Sequence, residues 1–449
     1  MIVFGSLNGS LYRVSSAGGQ ALAVTKPAAG QIDHRFPSFL PDGRQFLFYA
    51  SHAGNSGIYV ASLDSGESKR LVGADSGGIY EPRSGYLLFV RQGTLLAQSF
   101  NPKALTLADE AFPVAERVES AVHGGVLAFS VSDNGVLVYG VGSGSAGLQM
   151  VWVDRQGKVS GVVGPEENYR GLDLAPDGKR VAAHRHDGQG GDIWVTELSR
   201  GTTSRFTFDA ARENSSPIWS PDGSRIVFGS LRAGKWGLYQ KPPSGAGNEE
   251  RLLESDVQSL PMSWSPNGRS IVYEVLDPKT RTDLWVLPLT GDRKAVPLLH
   301  TPFDESHGQI SPDGKWLAYY SNETGQAEVY VQPFPAGAGK WQVSTSGGVF
   351  PRWRGDGREL FYMDKGSGGK LIAVEIKSSG SIFEAATPRE LFDTAYINLF
   401  HPGPYHTYAV SADGQRVLIP RPANASEEIA APIAVVVIWH SGLAARETR

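Results

Sequence analysis

The sequence predicts an all-β fold, and three observations lead to that prediction. A Pro-Asp-Gly turn or a close variant, followed by an unbroken apolar run, occurs nine times, as in WSPDGSRIVFGS at 219–230. No stretch longer than about ten residues keeps a helical period with caps at both ends. The turns also recur at nearly constant intervals. Successive intervals are 45, 45, 46 and 43 residues at Asp177, Asp222, Asn267, Asp313 and Asp356.

Each repeat contains enough strands for one four-stranded sheet. Its turn is tight because Pro sets φ, Asp accepts a backbone hydrogen bond and Gly adopts the left-handed conformation. The run after the turn, such as WLAYY at 316–320, is apolar on both faces, as expected for a strand covered by neighbouring sheets. A strand with a central aromatic, such as DIWVTEL at 192–198, and a short stretch such as SRFTF at 204–208 complete the unit. This period is typical of a propeller blade.

We therefore predict a single large β-propeller over residues 1–449, with about nine four-stranded antiparallel blades and eight or ten as alternatives. Residues 1–25 match a partial blade near ring closure, where the chain ends are expected to share or adjoin one blade. Two smaller rings are the main alternative, and an open sandwich or several barrels would not require the constant spacing. The repeat units are expected to begin near residues 36, 79, 126, 170, 214, 260, 306, 349 and 405.

Composition restricts the classes of partner. Lys and Arg total 42 against 46 Asp and Glu, a net charge of −4 that provides no field for nucleic acid. The chain has no cysteine, which excludes disulfides, thiolate metal ligands and a cysteine nucleophile. The N-terminus does not match a secretion signal, and the longest apolar run, at 429–439, is too short to span a bilayer. We expect no membrane insertion by this chain.

Three local patterns bear on whether the chain carries catalytic or metal-binding chemistry. GSGSAG at 142–147 satisfies a nucleotide-loop pattern, but a strand follows it where a helix is needed, so we interpret it as a hairpin loop. HRHD at 184–187 puts His184 and His186 on one face of a strand, and we interpret it as an outward-facing polar strand edge and not as a metal site. No Gly-x-Ser-x-Gly motif is present. We predict no catalytic residues, no metal and no cofactor.

Polar loops precede the first strand of each repeat, and in a propeller these loops converge on one face. Arginines there suit carboxylates, whereas Glu and His suit amines or hydroxyls. The predicted ligand-binding residues of this face are Asp33, His34, Arg35, Tyr169, Arg170, Arg212, Glu213, Asn214, Glu305, His307, Tyr405 and His406.

The turn followed by apolar and aromatic-centred strands resembles the WD-repeat-like propeller of TolB and of tricorn-type peptidases. More closely, LYRVSSAGGQALAVT, FPSFLPDGRQFLFYAS and IAVVVIWHSGL resemble the C-terminal propeller of bacterial serine/threonine protein kinases, here without the kinase domain and membrane helix. The resemblance implies a sensor or interaction module and suggests an extracytoplasmic, periplasmic location. It implies no particular ligand, because one fold hosts many functions.

The functional prediction is a non-enzymatic scaffold that binds a protein, peptide or cell-envelope ligand. An enzyme in the central channel, such as a lyase, lactonase or glycan hydrolase, is the alternative. It requires two carboxylates, or a metal cluster, meeting on the axis. A degraded gene fragment with structure but no present role is the third possibility.

Overall fold

The computed structural model contains strands and turns and no α-helix in the residues that it describes. Within these residues, no helix has the length and apolar character needed to cross a membrane. The described residues are 1–5, 9–28, 31–52, 56–116, 118, 129–132, 134–140, 147–186, 190–208, 213–245, 247–277, 280–335, 337–364, 369–380, 382–394, 405–423, 433–437 and 439.

Backbone contacts divide the chain into two compact units. The first contains Met1–Ala146 and Asn424–Arg449, and the second contains Gly147–Ala423. All strand pairs in both units are antiparallel, and most sheets follow the chain order, so each is built mainly from consecutive segments. This is the architecture expected of a β-propeller, in which sheets rather than helices are the repeating element.

The described residues of the first unit form four sheets. Its sheets are β1-β2-β3, β4-β5-β6-β7, β8 to β12, and β13-β14-β40. The N-terminal strand β1 and the C-terminal strand β40 belong to different sheets, so these two strands do not share a blade. The other form of the expectation, that the chain ends adjoin the closing blade, stays a prediction. The strands are β1 (Ile2–Gly5), β2 (Leu11–Val14), β3 (Leu22–Ala23), β4 (Gln31–Phe39), β5 (Gln45–His52), β6 (Gly57–Ser62), β7 (Ser68–Gly73), β8 (Gly78–Glu81), β9 (Tyr86–Arg91), β10 (Thr94–Asn101), β11 (Thr106–Leu107), β12 (Phe112–Ala115), β13 (Phe129–Val131), β14 (Leu137–Gly140) and β40 (Ile433–Val436).

In the part of the second unit that the structure describes, the strands form six sheets. Five of them are consecutive: β17 to β20, β21 to β24, β25 to β28, β29 to β32 and β33 to β37. The strands are β15 (Leu148–Asp154), β16 (Val159–Glu167), β17 (Tyr169–Leu174), β18 (Arg180–His186), β19 (Gly191–Glu197), β20 (Thr202–Arg205), β21 (Glu213–Trp219), β22 (Ile226–Arg232), β23 (Lys235–Lys241), β24 (Glu250–Ser255), β25 (Ser259–Trp264), β26 (Ser270–Asp277), β27 (Arg281–Pro288), β28 (Val296–Leu299), β29 (Glu305–Ile310), β30 (Trp316–Ser321), β31 (Glu328–Pro333), β32 (Trp341–Gln342), β33 (Val349–Trp353), β34 (Glu359–Met363), β35 (Lys370–Ser379), β36 (Ile382–Ala385), β37 (Arg389–Asp393), β38 (Ala409–Val410) and β39 (Arg416–Pro422).

The sixth sheet closes the second unit. It has the order β16-β15-β39-β38, so it combines strands from both ends of the unit's sequence, with Val151 opposite Ile419. The first strands contact one another in a cycle that runs from β17 through β21, β25, β29, β33 and β38 back to β17. Six sheets therefore close into a ring in which the first strand of each sheet contacts those of two neighbouring sheets. The predicted count of about nine blades in one ring is not confirmed.

The turn chemistry predicted from the repeats is confirmed. The turn glycines are in the left-handed region, with φ of 66° at Gly178 and 69° at Gly223. The turn carboxylate accepts from the backbone two residues later, over 2.9 Å in Asp177 and 3.0 Å in Asp222. Gly is favoured here because a side chain at positive φ is strained. These turns hold the first and second strands of each sheet together.

The apolar runs after the turns form the core, as predicted. Strand β22 is buried over Ile226–Ser230 and strand β34 over its whole length. Their side chains pack between adjacent sheets, and one such cluster joins Trp316 and Val331 to Leu360 and Val374. Both faces of these strands are covered, which accounts for the absence of alternation in the sequence.

The second unit has two ends, which we call the bottom face and the top face. The bottom face carries the Pro-Asp-Gly turns, and the top face is the end at which the first strand of each sheet begins. Indole groups link sheets near the bottom face: Trp219 Nε1 donates to Asp173 O over 3.1 Å, and Trp353 Nε1 donates to Gln309 O over 3.0 Å. These bonds fix neighbouring sheets against each other.

Candidate functional site

The predicted site residues are divided between the two units. Asp33, His34 and Arg35 lie on β4 in the first unit. Arg212 lies outside the described residues. The second unit holds the remaining ones, which are Tyr169, Arg170, Glu213, Asn214, Glu305, His307, Tyr405 and His406.

In the first unit the predicted residues have internal partners. His34 is fully buried, with Nδ1 2.7 Å from Thr25 Oγ1 and Nε2 3.0 Å from Gln31 Oε1. Burial lowers the pKa of His34 to about 4, so its imidazole is neutral at physiological pH. Asp33 forms an ion pair with Arg35. His34 is therefore part of the packing of this unit.

Several predicted residues of the second unit are also buried and internally bonded. Tyr169 donates its phenol proton to Pro165 O over 2.7 Å. Asn214 Oδ1 accepts from Ser230 Oγ over 2.8 Å, and Glu305 accepts from Thr301. These side chains support the top face from within and are not presented to a ligand.

A group of polar side chains does converge at the top face, and we call it the histidine cluster: Arg170, His184, His186, Glu213 and Tyr405. Glu213 begins β21, so its carboxylate lies at the edge next to the preceding sheet. Its Oε1 lies 3.0 Å from His184 Nε2, and its Oε2 lies 3.6 Å from His186 Nε2. Tyr405 completes the cluster, with its ring 5.2 Å from that of His184.

The electrostatics of the cluster favour a charged Glu213. Burial opposes ionisation of this carboxyl, but His184, His186 and Arg170 outweigh it and hold its pKa below the usual value. Burial raises the pKa of Tyr405 to about 12, so its phenol keeps its proton at neutral pH, and its oxygen accepts a hydrogen bond from Arg170. The cluster therefore offers a carboxylate, a guanidinium and a phenol on one small surface.

Accessibility differs among the members of the cluster. The His184 side chain is fully buried, whereas those of His186 and Glu213 are 13% and 16% exposed. Gly191 covers His184 without a side chain, since a Cβ there would lie 2.1 Å from His184 Nε2 and 2.6 Å from Glu213 Oε1. The absence of a side chain at residue 191 is therefore required for the contact between His184 and Glu213.

The segment Tyr405–Tyr408, which we call the axial segment, crosses the inside of the ring. His406 Nε2 donates to Met262 O on β25 over 2.8 Å, and Leu172 N donates to His406 O over 2.8 Å. Tyr408 donates to Phe350 O over 2.8 Å. The segment is therefore held by several strands and fills the interior of the ring near the top face.

A second polar group lies inside the ring. Arg352 Nη1 is 3.4 Å from Asp173 Oδ1 and 3.2 Å from Gln309 Oε1. Burial raises the pKa of Asp173, and Arg352 and backbone donors oppose that shift. Side chains from three sheets thus meet near the axis, toward the bottom face.

The sequence interpretation of His184 is wrong. It was expected on an outward-facing strand edge, but it is buried against the neighbouring sheet, because Glu213 of β21 lies directly opposite it. The position of His184 and His186 two residues apart at the end of a strand was the feature of the sequence that could have indicated a polar contact with the neighbouring sheet. Asp173, Glu274, Ser306 and Arg352 were also missed, because their partners are distant in sequence.

No three His, Asp or Glu side chains are placed to hold a metal ion in the part of the chain that the structure describes. Two cavities lie elsewhere. One of about 480 Å³ at the bottom face of the second unit is lined by residues that include Arg180 and Glu197, and one of about 400 Å³ in the first unit includes Phe100.

The fold and the cluster define a β-propeller with a polar top face. No family model matches the chain. It is 26% identical over 194 residues to the "uncharacterized peptidase YuxL" of Bacillus subtilis, covering 33% of this chain and 29% of that protein. It is 30% identical over 157 residues to the "uncharacterized protein Atu1656" of Agrobacterium fabrum, covering 32% of this chain and 52% of that protein. The chain spans about half the length or less of these curated relatives.

Solved structures that resemble the chain are propeller proteins of low sequence identity. A putative TolB from Agrobacterium tumefaciens is 17% identical with a TM-score of 0.48, covering 61% of this chain and 98% of that one. The tricorn protease is 12% identical with a TM-score of 0.37, covering 97% of this chain and 47% of that one. The predicted resemblance to TolB- and tricorn-type propellers is confirmed at the level of fold. The closer resemblance to kinase-linked propellers stays a prediction.

Proposed function

We propose that this protein is a non-enzymatic propeller that binds a peptide or an exposed segment of a protein through the top face of its second unit. The convergence of the histidine cluster supports this proposal. Arg170, Glu213 and Tyr405 come from two first strands and the axial segment, yet they lie around one pair of imidazoles. A peptide supplies the carboxylates, amides and amines that such a mixed group recognises.

The arrangement of the other acidic residues favours binding over the alternative of a channel enzyme. Glu213 pairs with histidines, whereas Glu305 bonds Thr301, so the two carboxylates belong to separate polar groups. Ser306 lies between His307 and Glu274, whereas a hydrolytic triad needs the histidine in the middle. These separate groupings support the binding proposal over acid–base catalysis in the channel.

Selection from a random linear peptide library on the immobilised full chain tests the proposal. Enriched peptides are then titrated against the wild type, Arg170→Ala and Glu213→Gln. Lys179→Ala is the matched control, because Lys179 is an exposed cation on a turn of the bottom face. We expect the first two substitutions to weaken binding about tenfold or more and the control to leave it unchanged. Enriched peptides that bind all four proteins equally would overturn the proposal.

A further inference from the structure

Three buried groups beneath the axial segment form a continuous hydrogen-bond chain. Glu274 Oε2 lies 2.5 Å from Ser306 Oγ, Ser306 Oγ lies 2.8 Å from His307 Nδ1, and His307 Nε2 lies 3.1 Å from Tyr405 O. The exposed fractions of Glu274, Ser306 and His307 are 6%, 3% and 1%. The chain therefore begins at a carboxyl inside the protein and ends on the backbone of a residue in the histidine cluster.

The number of protons in this chain follows from its last bond. A carbonyl oxygen only accepts, so His307 Nε2 carries a proton and the Nδ1 of the neutral imidazole is an acceptor. Ser306 must then give its single proton to Nδ1. The short contact between Ser306 Oγ and Glu274 consequently needs a proton from the carboxyl group. When all three hydrogen bonds are made, Glu274, Ser306 and His307 together therefore hold one more proton than they do when Glu274 is ionised and His307 is neutral.

We propose that Glu274, Ser306 and His307 are positioning residues that hold this proton and fix Tyr405 in the histidine cluster, and that loss of the proton loosens Tyr405. This inference rests on the proposed binding role of that cluster. When the carboxyl ionises, Ser306 turns its proton to Glu274, and His307 can satisfy only one of its two nitrogens. The bond to Tyr405 O is then weakened or lost.

The surrounding charges favour keeping the proton on Glu274. Burial raises the pKa of Glu274 to about 7, and the negative charge of Asp304 adds to this increase. Hydrogen bonds from Ser306 and from the backbone of His307 lower the pKa but do not outweigh burial. Burial lowers the pKa of His307 to about 3, and Arg352 adds to this effect. The other ionisable neighbours are His406, whose pKa burial lowers, and Tyr320, whose pKa burial raises. Neither His406 nor Tyr320 changes charge near neutral pH, so the proton that is lost there comes from Glu274.

Hydrogen–deuterium exchange of the ligand-free full chain tests the inference independently of the binding proposal. The protection of the axial segment, corrected for the intrinsic pH dependence of exchange, is compared at pH 6 and pH 8. We expect it to fall about fivefold to tenfold in the wild type. Glu274→Gln should keep it high at both values, because the Gln amide donates to Ser306 as the protonated carboxyl does. Ser306→Ala should lower it at both.

Wild-type protection that does not change with pH, or a Glu274→Gln protein that keeps the change, would overturn the inference. A second measurement applies if either variant fails to fold. Nitrogen chemical shifts of His307 in the wild type at pH 6 report its tautomer, and the inference requires the proton on Nε2. A neutral ring with the proton on Nδ1 would contradict it.

Discussion

Glu213 Oε1 lies 3.0 Å from His184 Nε2, and the two residues belong to neighbouring sheets of the second unit. Their contact exists only because β18 ends where β21 begins, at the top face. It holds a carboxylate in a partly buried position next to a second imidazole, that of His186. This pair therefore joins the packing of two sheets to the polar chemistry of the candidate site.

Gly191 gives a direct test of that pair. We expect Gly191→Ala to push His184 and Glu213 apart, because the new Cβ would overlap both side chains. The free energy of unfolding should fall by about 1–3 kcal/mol, as is usual for overpacking, and peptide binding should weaken with it. Urea denaturation and peptide titration measure the two effects.

Gly161→Ala is the control for this substitution. Gly161 lies in β16, and the nearest neighbour of an added Cβ there is Trp152 Cδ1 at 4.0 Å. It should leave stability and binding unchanged. If Gly161→Ala and Gly191→Ala lowered stability and peptide affinity equally, the effect of Gly191→Ala would not come from the His184–Glu213 contact.

Glu274 predicts a dependence of stability on pH. Burial raises the pKa of this carboxyl to about 7 in the folded state. The stability that the protonated carboxyl contributes is therefore fully present when the pH is below the pKa of Glu274 in the unfolded chain, and it is lost as the pH rises through 7. Glu274→Gln removes this loss. We expect the variant to gain on the order of 2 kcal/mol relative to the wild type between pH 5 and pH 8, measured by denaturation at both values. A constant difference between the two proteins would contradict the assignment.

His406 predicts the opposite dependence in acid. Burial lowers its pKa well below 6.5, so its contribution is present above pH 6.5 and is lost as the pH falls toward the folded-state value. His406→Gln retains a donor for Met262 O and cannot take up a proton. We expect the midpoint temperature of the variant to decline less than that of the wild type between pH 7 and pH 4. Parallel declines would count against it.

An ion pair links the closing sheet to its neighbour. Arg155 makes two bonds to Glu359, of 2.9 Å and 2.7 Å, and a third to Gly414 O, with both charged side chains largely buried. Arg155→Met leaves a buried carboxylate without its main partner. We expect the unfolding free energy to fall by about 2–4 kcal/mol.

Arg44→Met is the matched control for this ion pair. Arg44 also makes two bonds to one carboxylate, that of Asp64, but the side chains are 67% and 52% exposed. Solvent screens such a pair, so its removal should change stability little. Similar losses in both variants would show that burial does not set the strength of these pairs.

The sequence predicted the local parts of the fold because their physics is local. A turn such as Pro221-Asp222-Gly223 fixes its own geometry, and the apolar run after it shows that both faces of the strand are covered. Ring closure is different. The pairing of Val151 with Ile419 joins segments with no shared local signal. Regular spacing predicts sheets but does not say which sheets share a ring.

The membership of the histidine cluster was predicted in part for a similar reason. The predicted ligand-binding face includes Arg170, Glu213 and Tyr405 because they precede or begin first strands, which converge in any propeller. His184 was misplaced because its orientation depends on a neighbouring sheet. The chain from Glu274 through Ser306 to Tyr405 joins three segments far apart in sequence, so only the fold brings them together.

The most direct test of the account uses the second unit alone. Residues Gly147–Ala423 are expressed without the rest of the chain, and their unfolding and their affinity for an enriched peptide are measured. We expect one cooperative transition and an affinity within about threefold of that of the full chain, since the ring and the histidine cluster both lie inside these residues. An unfolded fragment, or a folded one that does not bind the peptide, would contradict it.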